Sequence, residues 1–136
     1  MNLCVLSFNS EVFMETGLKI TEEQVQAKMP IMVFHLRGWL DAQSEEQLLG
    51  AARDAYEGGS RYLLLDLSEV DTLTSAGMRA IQKVFRLYSP SNEQPNTNPV
   101  KMCNAPPQIY HVLGITGFLQ TIPNYESIQA ALDSFE

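Results

Sequence analysis

The chain has 136 residues, about one domain at ~150 residues per domain, and its 45% apolar and 18% charged residues are a globular composition, not a disordered one. Its 9 basic and 16 acidic residues leave a formal charge of -7, which repels phosphate backbones and argues against nucleic-acid binding. No apolar run approaches the ~18 residues of a membrane span, which argues against direct membrane insertion.

Residues 1–17 mix apolar and polar side chains without a period and form an extension to which the sequence assigns no structure; residues 18–136 read as the domain. The opening Met1 to Ser7 lacks the basic segment and long apolar stretch of a secretory signal, so a cytoplasmic location is expected. Cys4 and Cys103 lie too far apart for a zinc spacing or a disulfide framework and are expected to be free, inert thiols.

Leu18 to Ala27 shows a broken period of two and reads as a strand, followed by a turn at Lys28-Met29-Pro30. Ile31 to Arg37 is rich in β-branched and aromatic residues, apolar on both faces, and suits a covered strand. Gly38-Trp39-Leu40-Asp41 is expected to break it. Ser44-Glu45-Glu46-Gln47 reads as a capping box, with Leu48, Ala51, Ala52 and Ala55 or Tyr56 following at helical spacing. Gly58-Gly59 ends that helix, since glycine accepts the left-handed conformation beyond a helix end.

Arg61 to Leu67 is a short apolar run between turn signals, the pattern of a central buried parallel strand. Ser68 to Asp71 reads as a turn. A second helix follows, with Met78, Ile81, Phe85 and Tyr88 as its apolar stripe and Arg79, Gln82, Lys83 and Arg86 on the other face. The polar, proline-rich stretch 89–99 is a loop expected to tolerate change. Val100 to Cys103 is a short strand, Pro106-Pro107 opens a short helix that Gly114 closes, and Phe118 to Ile122 reads as a last strand. Asn124 is the expected cap of a closing helix with Ile128, Ala131, Leu132 and Phe135 on its buried stripe. Alternating strands and helices imply an α/β fold: a mostly parallel central sheet with a mixed edge and roughly four helices packed on it. In such sheets the working surface lies at the carboxyl ends of the strands.

The segment Thr74-Ser75-Ala76-Gly77 joins the central strand to the second helix. Thr74 or Ser75 is the helix cap, and small Ala76 and Gly77 admit close approach of another chain. A phosphoryl group there would gain amide partners at the helix start, while adding ~1.5–2 negative charges beside Asp71 and Asp41. The alternative is that both hydroxyls only cap the helix. Asp41 either borders the same surface or caps the first helix. Trp39 is either an exposed interface anchor or buried over the core. His35 and His111 have no cysteine or carboxylate at ligand spacing, so no metal is expected. No phosphate-cradling glycine loop, G-x-S-x-G elbow or HExxH is present, so neither a cofactor nor an enzyme is expected.

Asp66-Leu67-Ser68-Glu69-Val70 followed by Thr74-Ser75-Ala76-Gly77-Met78 resembles the signature of STAS domains, the fold of bacterial anti-sigma-factor antagonists. Leu36-Arg37-Gly38-Trp39-Leu40-Asp41 is similar to the family's L-x-G-x-L-D, and Val112 to Phe118 resembles its V-L-x-x-x-G-[LF]. The three matches fall in order across Leu18 to Phe135. The resemblance implies a signalling module that docks on an anti-sigma factor or serine-protein kinase when unphosphorylated. Phosphorylation at Ser75 would release it, and a phosphatase would reset it. The implied partner surface is Gly38, Trp39, Asp41, Asp71, Thr74, Ser75, Ala76, Gly77 and Arg79. Thr74 stands where many phosphorylated antagonists carry Asp, which makes Thr74 an alternative acceptor. It also keeps open a constitutive STAS subunit of a transporter or stress-sensing complex. A small-ligand-binding domain or enzyme is the alternative of another class. The oligomeric state is not legible from the sequence.

Overall fold

The computed structural model describes residues 17–89 and 99–135; the expected N-terminal extension up to residue 16, with Cys4, and residues 90–98 of the expected loop lie outside them. A five-stranded sheet runs β1 (Leu18–Gln26), β2 (Pro30–Leu40), β3 (Leu63–Leu73), β4 (Val100–Cys103) and β5 (Asn124–Tyr125), in that spatial order. β1 pairs antiparallel with β2, and β2, β3, β4 and β5 pair in parallel. Four α-helices accompany it: α1 (Glu45–Glu57), α2 (Ser75–Tyr88), α3 (Pro107–Ile115) and α4 (Ile128–Ser134). This is the expected mostly parallel sheet with one antiparallel edge.

Leu63 to Leu67 are all buried in the middle of the sheet, because both faces of β3 are covered. Leu63, Leu65 and Leu67 join Phe34, Leu36 and Leu40 against Leu48 and Ala52 of α1, Ile81 and Val84 of α2, and Ile109 and Leu113 of α3. Leu64 faces the other way, with Ile31, Val33 and Cys103, under Ala131 and Leu132 of α4 and Phe135. Burying a Leu or Phe side chain is worth roughly 1.5–3 kcal/mol, so this two-sided apolar strand anchors both layers. Lys101 is buried on the α4 side; its ammonium donates to the Ser134 carbonyl at 3.0 Å and lies 4.6 Å from the Phe135 ring. A cation there complements the negative end of α4.

Several local expectations fail for tertiary reasons. Gly38 to Leu40 does not break β2, and Ser68 to Asp71 is not a turn: the two strands extend each other, with Trp39 opposite Thr72 and Leu40 opposite Leu73. Register shifts between His35 and Arg37 and between Gly38 and Trp39 mark bulges that disturb the alternation a sequence would show. Ser44 does not cap α1 through Gln47. Asp41 caps a 3₁₀ turn at Ala42–Ser44, accepting from the Gln43 and Ser44 amides at 3.1 and 3.2 Å, while Ser44 Oγ accepts from the Asp41 amide at 2.9 Å. Gln47 instead donates to the Leu18 carbonyl at 2.7 Å, tying α1 to β1. The α2 stripe centres on Gly77, Ala80, Ile81, Val84 and Tyr88, leaving Met78 and Phe85 half-buried on its flanks. Phe118–Gln120 is a 3₁₀ turn, not a strand; the last strand is the two-residue β5, so Asn124 belongs to the sheet and Ser127 caps α4, accepting from the Ala130 amide at 3.1 Å.

Candidate functional site

The carboxyl ends of β2 and β3 meet at Leu40 and Leu73, and the chain then enters the 3₁₀ turn and α2 side by side. Thr74 sits in extended conformation as the cap of α2. Its Oγ1 accepts from the Gly77 amide at 3.2 Å and lies 3.4 Å from the Leu40 carbonyl oxygen, while its amide donates to that oxygen at 3.0 Å. Gly77 is buried, and a Cβ there would be driven into the Leu40 carbonyl. Thus Gly77 is small because α2 starts against the end of β2, and the cap and the glycine fix that approach together.

Ser75 is the first residue of α2 and is exposed. The amides of Ser75 and Ala76 fall in the first helical turn, where no carbonyl lies one turn back to receive them. An anion on Ser75 would meet those donors and the positive end of a 14-residue helix. The sequence left Thr74 and Ser75 equivalent as caps; the geometry commits Thr74 to the cap and leaves Ser75 outside.

Asp41, Asp71 and Arg79 flank this end of the molecule. Asp41 is the cap described above and half-buried, whereas Asp71 and Arg79 are exposed. Across the α1–α2 interface Lys83 donates to Glu45, and that bond, with the charges of Lys83 and Arg79, holds the Glu45 carboxyl below its ordinary range despite some desolvation. Trp39 is 41% exposed, so it does not cover the core. Its amide donates to the Gly17 carbonyl at 3.0 Å, next to Gly38, whose φ of +107° and contact with Gly17 exclude a side chain. From α3, the Thr116 hydroxyl lies 3.8 Å from Met78 Sδ, which brings the exposed Ile115–Thr116 end beside the first turns of α2. The sequence reading had Ile115 and Thr116 only inside the Val112 to Phe118 match and not as neighbours of α2, because no local pattern says which helix a helix end will meet.

His35, which has no carboxylate at ligand spacing along the chain, meets two carboxylates brought from other strands. Its Nδ1 lies 2.7 Å from Asp66 Oδ2 and its Nε2 2.8 Å from Glu23 Oε1. Asp66 is 6% exposed and also accepts from the Ser68 amide at 3.1 Å and from Asn104 Nδ2 at 3.3 Å. Burial pulls the His35 pKa down, but the bonds to Glu23 and Asp66 outweigh it and raise it above the ordinary 6.5. Burial pushes Asp66 up, and its hydrogen bonds from His35, Ser68 and Asn104 bring it below 3.8. Among the described residues no group of three or more His, Cys, Asp and Glu is placed to hold a metal ion. Burial, with the Asp66 charge nearby, pushes the Cys103 thiol up to about 12, so it stays protonated.

A family model described as STAS domain matches residues 21–131. BtrV of Bordetella bronchiseptica, described as a candidate anti-sigma factor antagonist, is 25% identical over 119 residues, covering 88% of this chain and 96% of its own. The crystal structure of an anti-sigma factor antagonist from Mycobacterium paratuberculosis superimposes with a TM-score of 0.68 at 20% identity, covering 86% of this chain and 94% of that one. The anti-sigma factor antagonist SpoIIAA in its unphosphorylated form and the Bacillus cell fate determinant SpoIIAA in its phosphorylated form give TM-scores of 0.65 and 0.61 at 16% and 17% identity; each match covers 85% of this chain, and 94% and 97% of those chains. At these identities the solved structures speak for the fold alone. Among the described residues no helix is long and apolar enough to cross a membrane.

Proposed function

The chain belongs to the STAS domain family, with the fold of the anti-sigma-factor antagonists, and from that premise we propose that it is a non-enzymatic, phosphorylation-regulated protein-binding module. It docks on an anti-sigma factor or serine-protein kinase when unphosphorylated and is released when Ser75 is phosphorylated; a phosphatase restores binding. The observation that carries this reading is the exposed Ser75 hydroxyl at the start of α2, beside a Thr74 whose own hydroxyl is committed to the cap. A relative described as a candidate anti-sigma factor antagonist supports it. The docking surface comprises Thr74, Ser75 and Ala76, with Arg79, Asp41 and Asp71 around them, exposed Trp39 at the end of β2 beside Gly38, and the Ile115–Thr116 end of α3; Gly77, expected on this surface, is instead buried beneath it against Leu40. Aromatic anchors such as Trp39 contribute disproportionately to interfaces. A phosphate driven into a desolvated contact must find cations or force dissociation.

The test is to incubate the full chain with candidate serine-protein kinases and ATP and to map the added mass. Labelling at Ser75 that is lost in Ser75→Ala, with binding retained, is the expected result. Ser75→Glu should weaken the complex by about tenfold, ~1.4 kcal/mol, a partial effect because Glu carries about half the phosphate charge. Labelling that persists in Ser75→Ala and disappears in Thr74→Ala moves the switch by one residue. No labelling by any kinase, together with unchanged binding of Ser75→Glu, leaves the constitutive-subunit reading instead.

A further inference from the structure

The sheet face opposite α1 and α2 carries a second polar cluster, Glu23, His35 and Asp66, that the docking surface does not use. Register places it there. Thr21 is directly opposite His35 and Glu23 opposite Val33, so Glu23 is the diagonal neighbour of His35 on one face; His35 is directly opposite Asp66 on the other side. Both ring nitrogens face carboxylate oxygens within 2.8 Å. A carboxylate accepts and does not donate, and a neutral imidazole has one N–H, so only the imidazolium satisfies both contacts.

We propose that Glu23, His35 and Asp66 form a proton-operated clasp that fastens the edge strand β1 to the middle of the sheet, closed when His35 is charged and open at its Glu23 arm when His35 is neutral. On deprotonation the proton goes to solvent from Nε2. Nδ1–H stays on buried Asp66, which is fixed by the Ser68 amide and Asn104. Glu23, more than half exposed, then meets a lone pair and turns out to water. Among the described residues, the other groups on this face do not replace it. From β1, Lys19 stands opposite Arg37 of β2, and Arg37 lies 4.0 Å from Glu69 of β3. From β4, the Lys101 ammonium is turned to Ser134 and the Cys103 thiol is protonated. β5 brings the Tyr125 ring and α4 brings the aliphatic Ala131 and Leu132. The net raising of the His35 pKa agrees with this arrangement.

The experiment is an NMR titration of the histidine rings in the full chain from pH 5 to 9, with the His35 signal assigned by its loss in His35→Gln. The His35 midpoint should lie above 6.5, and in Glu23→Gln it should move to lower pH, because an amide can face either protonation state. Urea midpoints supply the second reading. They should fall between pH 6 and pH 9 in the wild type and change less over that range in His35→Gln. A wild-type midpoint at or below 6.5, a midpoint unmoved in Glu23→Gln, or identical pH slopes in wild type and His35→Gln would each overturn the clasp.

Discussion

Thr74 and Ser75 are adjacent hydroxyls with different duties, and their substitutions separate these duties. Thr74 Oγ1 accepts from the Gly77 amide, so Thr74→Ala removes a helix cap and should destabilise the fold by about 1 kcal/mol. Ser75 is exposed, so Ser75→Ala should stay within about 0.5 kcal/mol of wild type while abolishing labelling. Urea denaturation of both variants checks the pair; equal losses would mean that Ser75 shares the cap. Gly77→Ala is the more severe change in the same turn. Its new methyl meets the Leu40 carbonyl, a backbone atom that cannot swing aside, and overpacking of this kind costs roughly 1–3 kcal/mol.

Among the elements, β3 and α4 show how the layers are held. Seven residues of helix make α4 too short to stand alone, so its place depends on Ala131, Leu132 and the following Phe135 packing on Ile31, Val33 and Leu64. Phe135 also meets the Tyr62 ring edge-on at 5.9 Å. Phe135→Ala should therefore destabilise by about 3–5 kcal/mol, measurable as a lowered urea midpoint. On the opposite face α2 buries Ile81 and Val84 without touching this cluster. The Ser75 surface should consequently keep its partner affinity in Phe135→Ala wherever the variant remains folded.

For the whole molecule, three buried or half-buried groups shape the dependence of stability on pH. Asp66 lies below 3.8 in the folded state, so its contribution is present above that value and is lost as pH falls through the lower folded one. His35 lies above 6.5 when folded, so its contribution is complete below 6.5 and is lost as pH rises through the folded value. Cys103, raised from 9.0 to about 12, favours the folded state below 9.0 and ceases to do so as pH climbs between those values. Stability should therefore be highest between about pH 4 and 6.5 and decline on both sides, as urea titrations at fixed temperature would show. With Cys4→Ser as background, Cys103 should resist thiol reagents at pH 8 until the chain unfolds, since its side chain is buried and protonated.

The sequence by itself determined the α/β order, the buried run through Leu67, the helix beginning at Thr74-Ser75 and the family signature around it. Each of these is written in contiguous residues: an apolar run, a cap followed by small residues, an apolar stripe at helical spacing. Only the tertiary structure decided the rest. Ser68 to Asp71 looks like a turn because three of its four residues are polar, yet it is strand because the end of β2 lies alongside to complete its ladder. That Trp39 is exposed was decided by its place at the end of β2, and that Asp41 caps was decided by the 3₁₀ turn its side chain engages. His35 looked isolated because its partners stand 12 and 31 residues away. Local pattern encodes which face of an element is apolar. Which residues meet across strands is set by register and bulges, and these arise only when the strands pair.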